Sequence, residues 1–332
     1  MAETATRVLS SQQPLSSSSP VKLISPHGND DFGLLLRTGM QQAGMRTDGL
    51  FAADRNKRTA VCSLMLDDAG DLISGVADMD IGQTVLYPDT NGGLAAMLED
   101  ESPVIVAFDG NIGSGQASEL LTACEVHNGK GRSHNRTTLM TLFEPTSVAK
   151  STIVLSHFAE SRSSERQAIS FTTPNAVELE HIHAAAVDRG LLVSLSPSTF
   201  SSNVPASVVE ASTLAKARAL VQAGIFATLL LKVGRHGVVT VDAERVRHHP
   251  IPAGQVEVIN TTGCGDSFAG AFTATLSHLL HKKTAQSAHE HGAAWYKMVD
   301  TAVEIGQLAA RRTLASTKAV GDGMHLLLPA CT

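Results

Sequence analysis

The chain has 332 residues, 43% hydrophobic and 17% charged, a size and composition that bury a sizeable core and exclude disorder over the whole length. Lysine and arginine number 26 against 32 aspartates and glutamates, a net charge of −6 with no basic block, and aromatics are only 4%. Phosphate-driven nucleic-acid binding and base stacking therefore have little support, and a small-molecule partner is the expectation. Cys62, Cys124, Cys264 and Cys331 lack metal-ligand spacing, which suits free thiols in a reducing, cytoplasmic compartment. No apolar run approaches the roughly 20 residues of a membrane span.

In chain order, residues 1–20 (MAETATRVLSSQQPLSSSSP) hold one basic residue, an early acid and many serines, which predicts a disordered tail without signal-peptide character. From residue 21 onward, short apolar runs alternate with helix-like stretches, the pattern of an α/β fold. Strands are expected at VKLIS (21–25), PVIVAF (103–108), TTLMTLF (137–143), AISFTT (168–173) and IFATLLLKV (225–233). Their continuous apolar character fits a parallel sheet buried on both faces. TAVCSLML (59–66) and LISGVADMD (72–80) flank the polar turn DDAGD, which predicts a hairpin, either a lid or an ordinary edge hairpin. Residues 207–223 show helical spacing, with Gly224 placed as a stop.

The stretch VEVINTTGCGDSFAGAFTATL (256–276) runs from a β-branched segment through a turn with Gly263 and Gly265 into a helix. Its apolar face is Phe268, Phe272 and Leu276. Glycines at a helix start let the main chain approach a ligand, and the first-turn N–H groups of Gly263, Cys264, Gly265 and Asp266 suit a phosphate. Asp266 reads either as an N-cap or as the base that takes a hydroxyl proton during phosphoryl transfer. The absence of GxxxxGK[ST] excludes a P-loop enzyme.

NTTGCGDSFAGAF resembles the DTxGAGD signature of the ribokinase-like (PfkB) family of carbohydrate and nucleoside kinases. TPNAVEL (173–179) and LKVGRHGVV (231–239) resemble that family's NxxE element and nucleotide-binding strand and turn, in the same order. The resemblance implies a three-layer α/β sandwich with a mostly parallel central sheet and a small β lid at about 59–80. It also implies ATP and Mg²⁺ as cofactors, with K⁺ as a further candidate, although Asn260 stands where the family's cation-binding aspartate is usual. By the same resemblance Asp266 is the catalytic base, and Gly263, Cys264 and Gly265 form the anion hole. Lys232, Gly234, Arg235, Gly237 and Thr261 lie near ATP, and Asn175 and Glu178 hold Mg²⁺ partly through water.

RTAVCSLMLDDAGDLISGVADMDI, AFDGNI and FEPTSVAKS are similar to the pseudouridine kinase branch, which implies phosphorylation of the 5′-hydroxyl of pseudouridine. The alternatives are another sugar or nucleoside kinase of the family, or a catalytically impaired nucleotide-binding homologue. Asp109 and Asn111, which follow a buried strand, are substrate candidates, together with Thr59 and Asp80 of the lid. Residues 21–332 read as one kinase domain lacking the family's opening strand and glycine-pair turn, which predicts a weakened acceptor site. The expected partner is a small nucleoside or sugar, with no nucleic acid and no membrane, and the lid is a candidate homodimer contact. Cys264 reads either as an inert core residue or as a thiol activated by the helix start. His181, His183, His248 and His249 are expected to face solvent.

Overall fold

The computed structural model describes residues 1–12, 19–53, 56–67, 72–83, 93–133, 138–159, 166–192, 204–254, 256–282 and 292–328. The chain forms two compact units, residues 1–93 with 252–332 and residues 94–251.

The first unit opens with helix α1 (Ala2–Leu9), which corrects the expected disordered tail over its first residues; positions 13–18 lie outside the described residues. Eight residues make a marginal helix alone. Here Ala5 and Val8 are buried against Ala271, Ala274, Ala309, Met324, Leu327 and Leu328, so packing with distant parts of the chain supplies what local composition does not. Next come β1 (Ser25–His27), α2 (Asp31–Gln42) and β2 (Leu50–Ala52). β1 and β2 pair in parallel with Ser25 opposite Leu50, so the strand expected at 21–25 lies mostly later, where β2 offers a ladder partner. β3 (Val61–Leu66) and β4 (Leu72–Asp78) form the expected hairpin, antiparallel with Val61 opposite Asp78 and a register shift at Met65/Leu66.

The second unit contains α3 (Gly93–Glu101), β5 (Ile105–Asp109), α4 (Ser114–Ser133), β6 (Met140–Glu144) and α5 (Leu155–Ala159). It continues with β7 (Ile169–Thr172), α6 (Ala176–Asp188), α7 (Ala211–Gln222), β8 (Phe226–Lys232), β9 (Val238–Asp242) and β10 (Val246–His249). The six strands form one sheet in the order β10-β9-β8-β7-β6-β5, with β5 to β8 mutually parallel and β9 and β10 antiparallel additions. Leu142, Phe143, Ile169, Phe171 and Leu229 to Leu231 are fully buried, as continuous apolar strands require.

The helix expected from 207 starts at Ala211 because the Pro205 carbonyl takes the N–H groups of Val208 and Val209 in a preceding turn. It ends at Gly224, whose φ of +72° and the Ile225 N–H to Leu220 carbonyl bond close the C-terminus. A polar network stitches α4 to its neighbours. Buried Asn128 exchanges bonds with the Leu139 main chain, and His157, between Ser118 and Glu125, joins α4 to α5. His249, expected at the surface, is buried at the end of β10, where its ring bonds the Thr240 hydroxyl of β9 at 3.1 Å. His181 is exposed.

The first unit resumes with α8 (Cys264–Lys282) and α9 (Ala293–Leu314). Phe268, Phe272 and Leu276 form the buried face of α8, as the sequence spacing predicts. Gly306 of α9 lies against the Phe268 ring, where a Cβ would come within 2.8 Å, so the small residue sets how closely the two helices approach. Phe272, fully buried and stacked on Phe268, anchors this pair. Phe272→Ala is expected to cost about 3–5 kcal/mol of stability, read as a lowered urea midpoint at unchanged slope.

Candidate functional site

The turn ahead of α8 is built by main-chain constraints. Asn260, nearly buried, accepts the Thr262 N–H at 2.9 Å, and its own N–H bonds the Leu314 carbonyl. Gly263 has φ +80°, and a Cβ there would strike the Ala319 carbonyl oxygen, so both conformation and space demand glycine. The first helical bond runs from Ser267 N–H to the Gly263 carbonyl at 2.8 Å. Cys264 N–H turns back toward the Thr261 carbonyl at 3.4 Å, whereas the N–H groups of Gly265 and Asp266 meet no acceptor among the described residues. Two donors at a positive helix end thus lie beside a half-exposed carboxylate, Asp266, whose side chain is 52% exposed. The Met1 amino group lies 3.6 Å from Asp266 Oδ1. Buried Ser267 shares a 2.7 Å bond with Thr313 of α9, which pins the first turn of α8 from behind.

Cys264 is the inert alternative. Its Sγ points to the Asn260 carbonyl at 3.7 Å, and burial pushes the thiol up to about 11, opposite to an activated thiol. Cys124 is pushed up to about 12 for the same reason, while Cys62 is exposed.

In the second unit, the candidate residues gather at the carboxyl ends of the parallel strands. Asn175, expected at a metal, caps α6. Its Oδ1 accepts the N–H groups of Val177 and Glu178, and Glu178 Oε2 accepts the Asn175 N–H at 2.8 Å, a reciprocal capping box. Lys232 at the end of β8 donates to Glu144 Oε1 at 2.8 Å, and its N–H bonds the Pro174 carbonyl. Glu144, which ends β6, is a residue the sequence reading missed. An acid closing a buried strand is the same signal that singled out Asp109. Burial holds the Glu178 carboxyl above its usual range, with Lys232 opposing and Glu144 adding to the shift. Beyond Lys232, Gly234 (φ +56°) and Gly237 (φ +94°) shape the turn into β9, with Arg235 exposed on it.

Asp109 Oδ1 accepts the Asn111 N–H at 2.8 Å, and Lys150 donates to Asn111 Oδ1 at 2.6 Å, so these two substrate candidates sit together at the strand edge. Thr59 does not fit a substrate contact. It is buried, and its hydroxyl and N–H both bond Asp30, the N-cap of α2, while its Oγ1 accepts the Gly28 N–H. This knot ties the loop after β1 to the base of the β3–β4 hairpin. Asp80 is exposed at the start of a short turn, Asp80–Gln83. Among the described residues no cluster of three or more His, Cys, Asp or Glu side chains forms a ready metal cage, and no helix is long and apolar enough to cross a membrane.

A mostly parallel α/β sheet with extra small sheets and a glycine turn opening a long helix is the ribokinase-like fold, and solved structures bear this out. The chain is similar to ribokinase from Giardia lamblia, with 15% identity over 98% of this chain and 85% of that one and a TM-score of 0.67. It is similar to ribokinase from Cryptococcus neoformans in complex with ADP, at 17% identity, 98% and 86% coverage and a TM-score of 0.62. Phosphofructokinase-2 from Escherichia coli in complex with potassium gives 16% identity, 98% and 83% coverage and a TM-score of 0.59. No curated protein matches the sequence. Residues 156–320 match the family model for pfkB family carbohydrate kinase, and that stretch contains both the capped α6 and the turn ahead of α8.

Hydrogen bonds from Thr59 and Gly33 hold the Asp30 carboxyl below its ordinary value of 3.8. A depressed folded value contributes stability above pH 3.8 that is lost as pH falls through the folded value. The difference in urea midpoint between the native chain and Asp30→Asn should therefore be constant from about pH 5 to about pH 7 and shrink as the pH falls below about 4. Peptide mapping after alkylation near pH 8 should show Cys62 modified well before Cys264.

Proposed function

We propose that the chain is an ATP-dependent kinase of small sugar or nucleoside alcohols, and that its acceptor is the 5′-hydroxyl of pseudouridine. The observation that carries the kinase reading is the pair of unpaired N–H groups at Gly265 and Asp266 beside the half-exposed Asp266 carboxylate. The pfkB match over residues 156–320 supports the same reading, and the segments RTAVCSLMLDDAGDLISGVADMDI, AFDGNI and FEPTSVAKS support pseudouridine.

In this reading Asp266 takes the proton of the acceptor hydroxyl while its oxygen bonds to the γ-phosphorus. The bond from that phosphorus to the β,γ-bridging oxygen breaks, and ADP leaves with the electron pair. The N–H groups of Gly263, Cys264 and Gly265 serve the charge on the transferring group, those of Gly265 being better placed than that of Cys264, which is partly turned inward. Gly234, Arg235, Gly237 and Thr261 are assigned to ATP, while the Lys232 ammonium, expected near ATP, is engaged by Glu144.

The residues at the metal position fit Mg²⁺. Burial is the chief cause that holds the Glu178 carboxyl above its usual range, with Lys232 opposing and Glu144 adding to the shift, and a divalent cation would supply the positive charge that favours its ionised form. Glu178 would hold the ion through its waters, and Asn175, with its oxygen committed to the cap, orients Glu178. When bound, Mg²⁺ neutralises charge on the β- and γ-phosphates. Asn260 brings no charge to a monovalent cation, so K⁺ has a weaker claim. Leu64, Met65, Ile73 and Val76, exposed on β3 and β4, support pairing of the lid with a second copy.

Asp266→Asn is expected to lower phosphoryl transfer to pseudouridine by about 10²- to 10⁴-fold while leaving ATP affinity, measured by calorimetry, within a few-fold. Full activity in this variant removes Asp266 as the base. Faster turnover on ribose or adenosine than on pseudouridine would move the acceptor assignment within the kinase class.

A further inference from the structure

We propose that Lys232 is a positioning residue that sets the loop holding Asn111 through Glu144 and Thr146, a role that rests on the kinase reading only in assigning Asn111 to the acceptor. Lys232 Nζ donates to Glu144 Oε1 at 2.8 Å. The other oxygen, Oε2, accepts the Thr146 N–H at 2.6 Å. Thr146 has φ +68°, a conformation a β-branched residue does not adopt without external restraint. That restraint is Glu144, which takes the Thr146 N–H with its side chain and the Thr146 hydroxyl with its main-chain carbonyl at 3.3 Å.

Thr146 Oγ1 in turn accepts the Gly110 N–H at 2.8 Å, alongside the Glu144 carbonyl at 3.0 Å. Gly110 is wedged so closely that a Cβ would lie 2.6 Å from the Pro145 carbonyl oxygen and 2.8 Å from Lys150 Cβ. Asn111 follows directly, its N–H on Asp109 and its side-chain oxygen on Lys150. A continuous run of bonds thus leads from an ammonium at the end of β8 to the loop after β5, three positions away in the sheet. The Glu144 side chain is only 6% exposed, so water does not readily replace Lys232 as its donor. Lys232 is also the residue from which the chain turns into Gly234–Gly237. One side chain therefore ties the geometry of the proposed nucleotide turn to that of the acceptor loop.

The test compares Lys232→Met, Lys232→Arg and Glu144→Gln. Amide hydrogen exchange without any ligand should rise about tenfold at Gly110, Asn111 and Thr146 in Lys232→Met, the loss expected for one charge-assisted bond, and return toward the native rate in Lys232→Arg. In steady state, KM for the acceptor should rise about tenfold in Lys232→Met with KM for ATP changed by less than about threefold. Unchanged exchange at those three amides, with only KM for ATP raised, overturns the proposal and leaves Lys232 a nucleotide ligand. If Lys232→Met does not fold, as judged by circular dichroism, Glu144→Gln keeps the shape while weakening the same link, and its exchange at Gly110 and Thr146 decides in the same way. A native chain that transfers phosphate to no acceptor would remove the kinase reading, while the exchange data would still decide the positioning role.

Discussion

A carboxylate with 6% of its side chain exposed cannot be left short of donors, and Glu144 is the point on which the second unit turns. Its two oxygens take Lys232 and the Thr146 N–H, and its carbonyl takes Gly110, so the ends of β5, β6 and β8 have to arrive in one register. β7 joins them through the Pro174 carbonyl, which receives the Lys232 N–H. The apolar strands supply the driving force for the sheet, but force proportional to area has no preferred alignment along a strand. The polar ends provide that alignment. They also explain why polar and charged side chains collect at this edge, since the carboxyl ends of parallel strands are where loops can spread charged groups without burying them deep in the sheet.

The first unit meets a different constraint, the close approach of helices. Gly306 brings α9 onto Phe268, and Gly270 of α8 faces the Met1 carbonyl and Thr4, so α8 is gripped on two sides by contacts that tolerate no Cβ. A helix held this way keeps its first turn fixed, which is what free N–H groups need if they are to act as donors without first being organised. Buried Ser267 and Thr313 add a polar pin at the same level.

Elements governed by local chemistry were legible in the sequence. The four parallel strands announced themselves by continuous apolar runs, the β3–β4 hairpin by the polar turn between its strands, and α8 by Phe268, Phe272 and Leu276. Gly224 marked the end of α7 because only the backbone there decides. Features set by distant partners were not legible. α1 has a polar, serine-flanked sequence and owes its order to α8, α9 and Leu327, which lie near the other end of the chain. Thr59 looked like a lid residue near substrate, and only the fold reveals that Asp30 consumes both its polar groups. His249 looked like half of a surface pair until β10 turned it inward. Lys232 read as a residue near ATP because its partner lies 88 residues earlier. The thiol of Cys264 could be assigned to neither alternative without knowing how deeply it sits.

The turn from Asn260 to Asp266 makes its contacts almost entirely with main-chain atoms. Gly263 is shut in by the Ala319 carbonyl, and Gly321 of the same region by the Arg312 carbonyl, so neither can accept any side chain. Cys264, next to Gly263, contributes its backbone to the turn and a weak thiol bond to the Asn260 carbonyl. The segment is therefore a text in which some letters are frozen and their neighbours nearly blank. A library randomised across positions 260–266 and selected for folding would recover glycine at 263 almost without exception and a wide alphabet of small residues at 264, and the boundary between the two would trace the backbone rather than the chemistry.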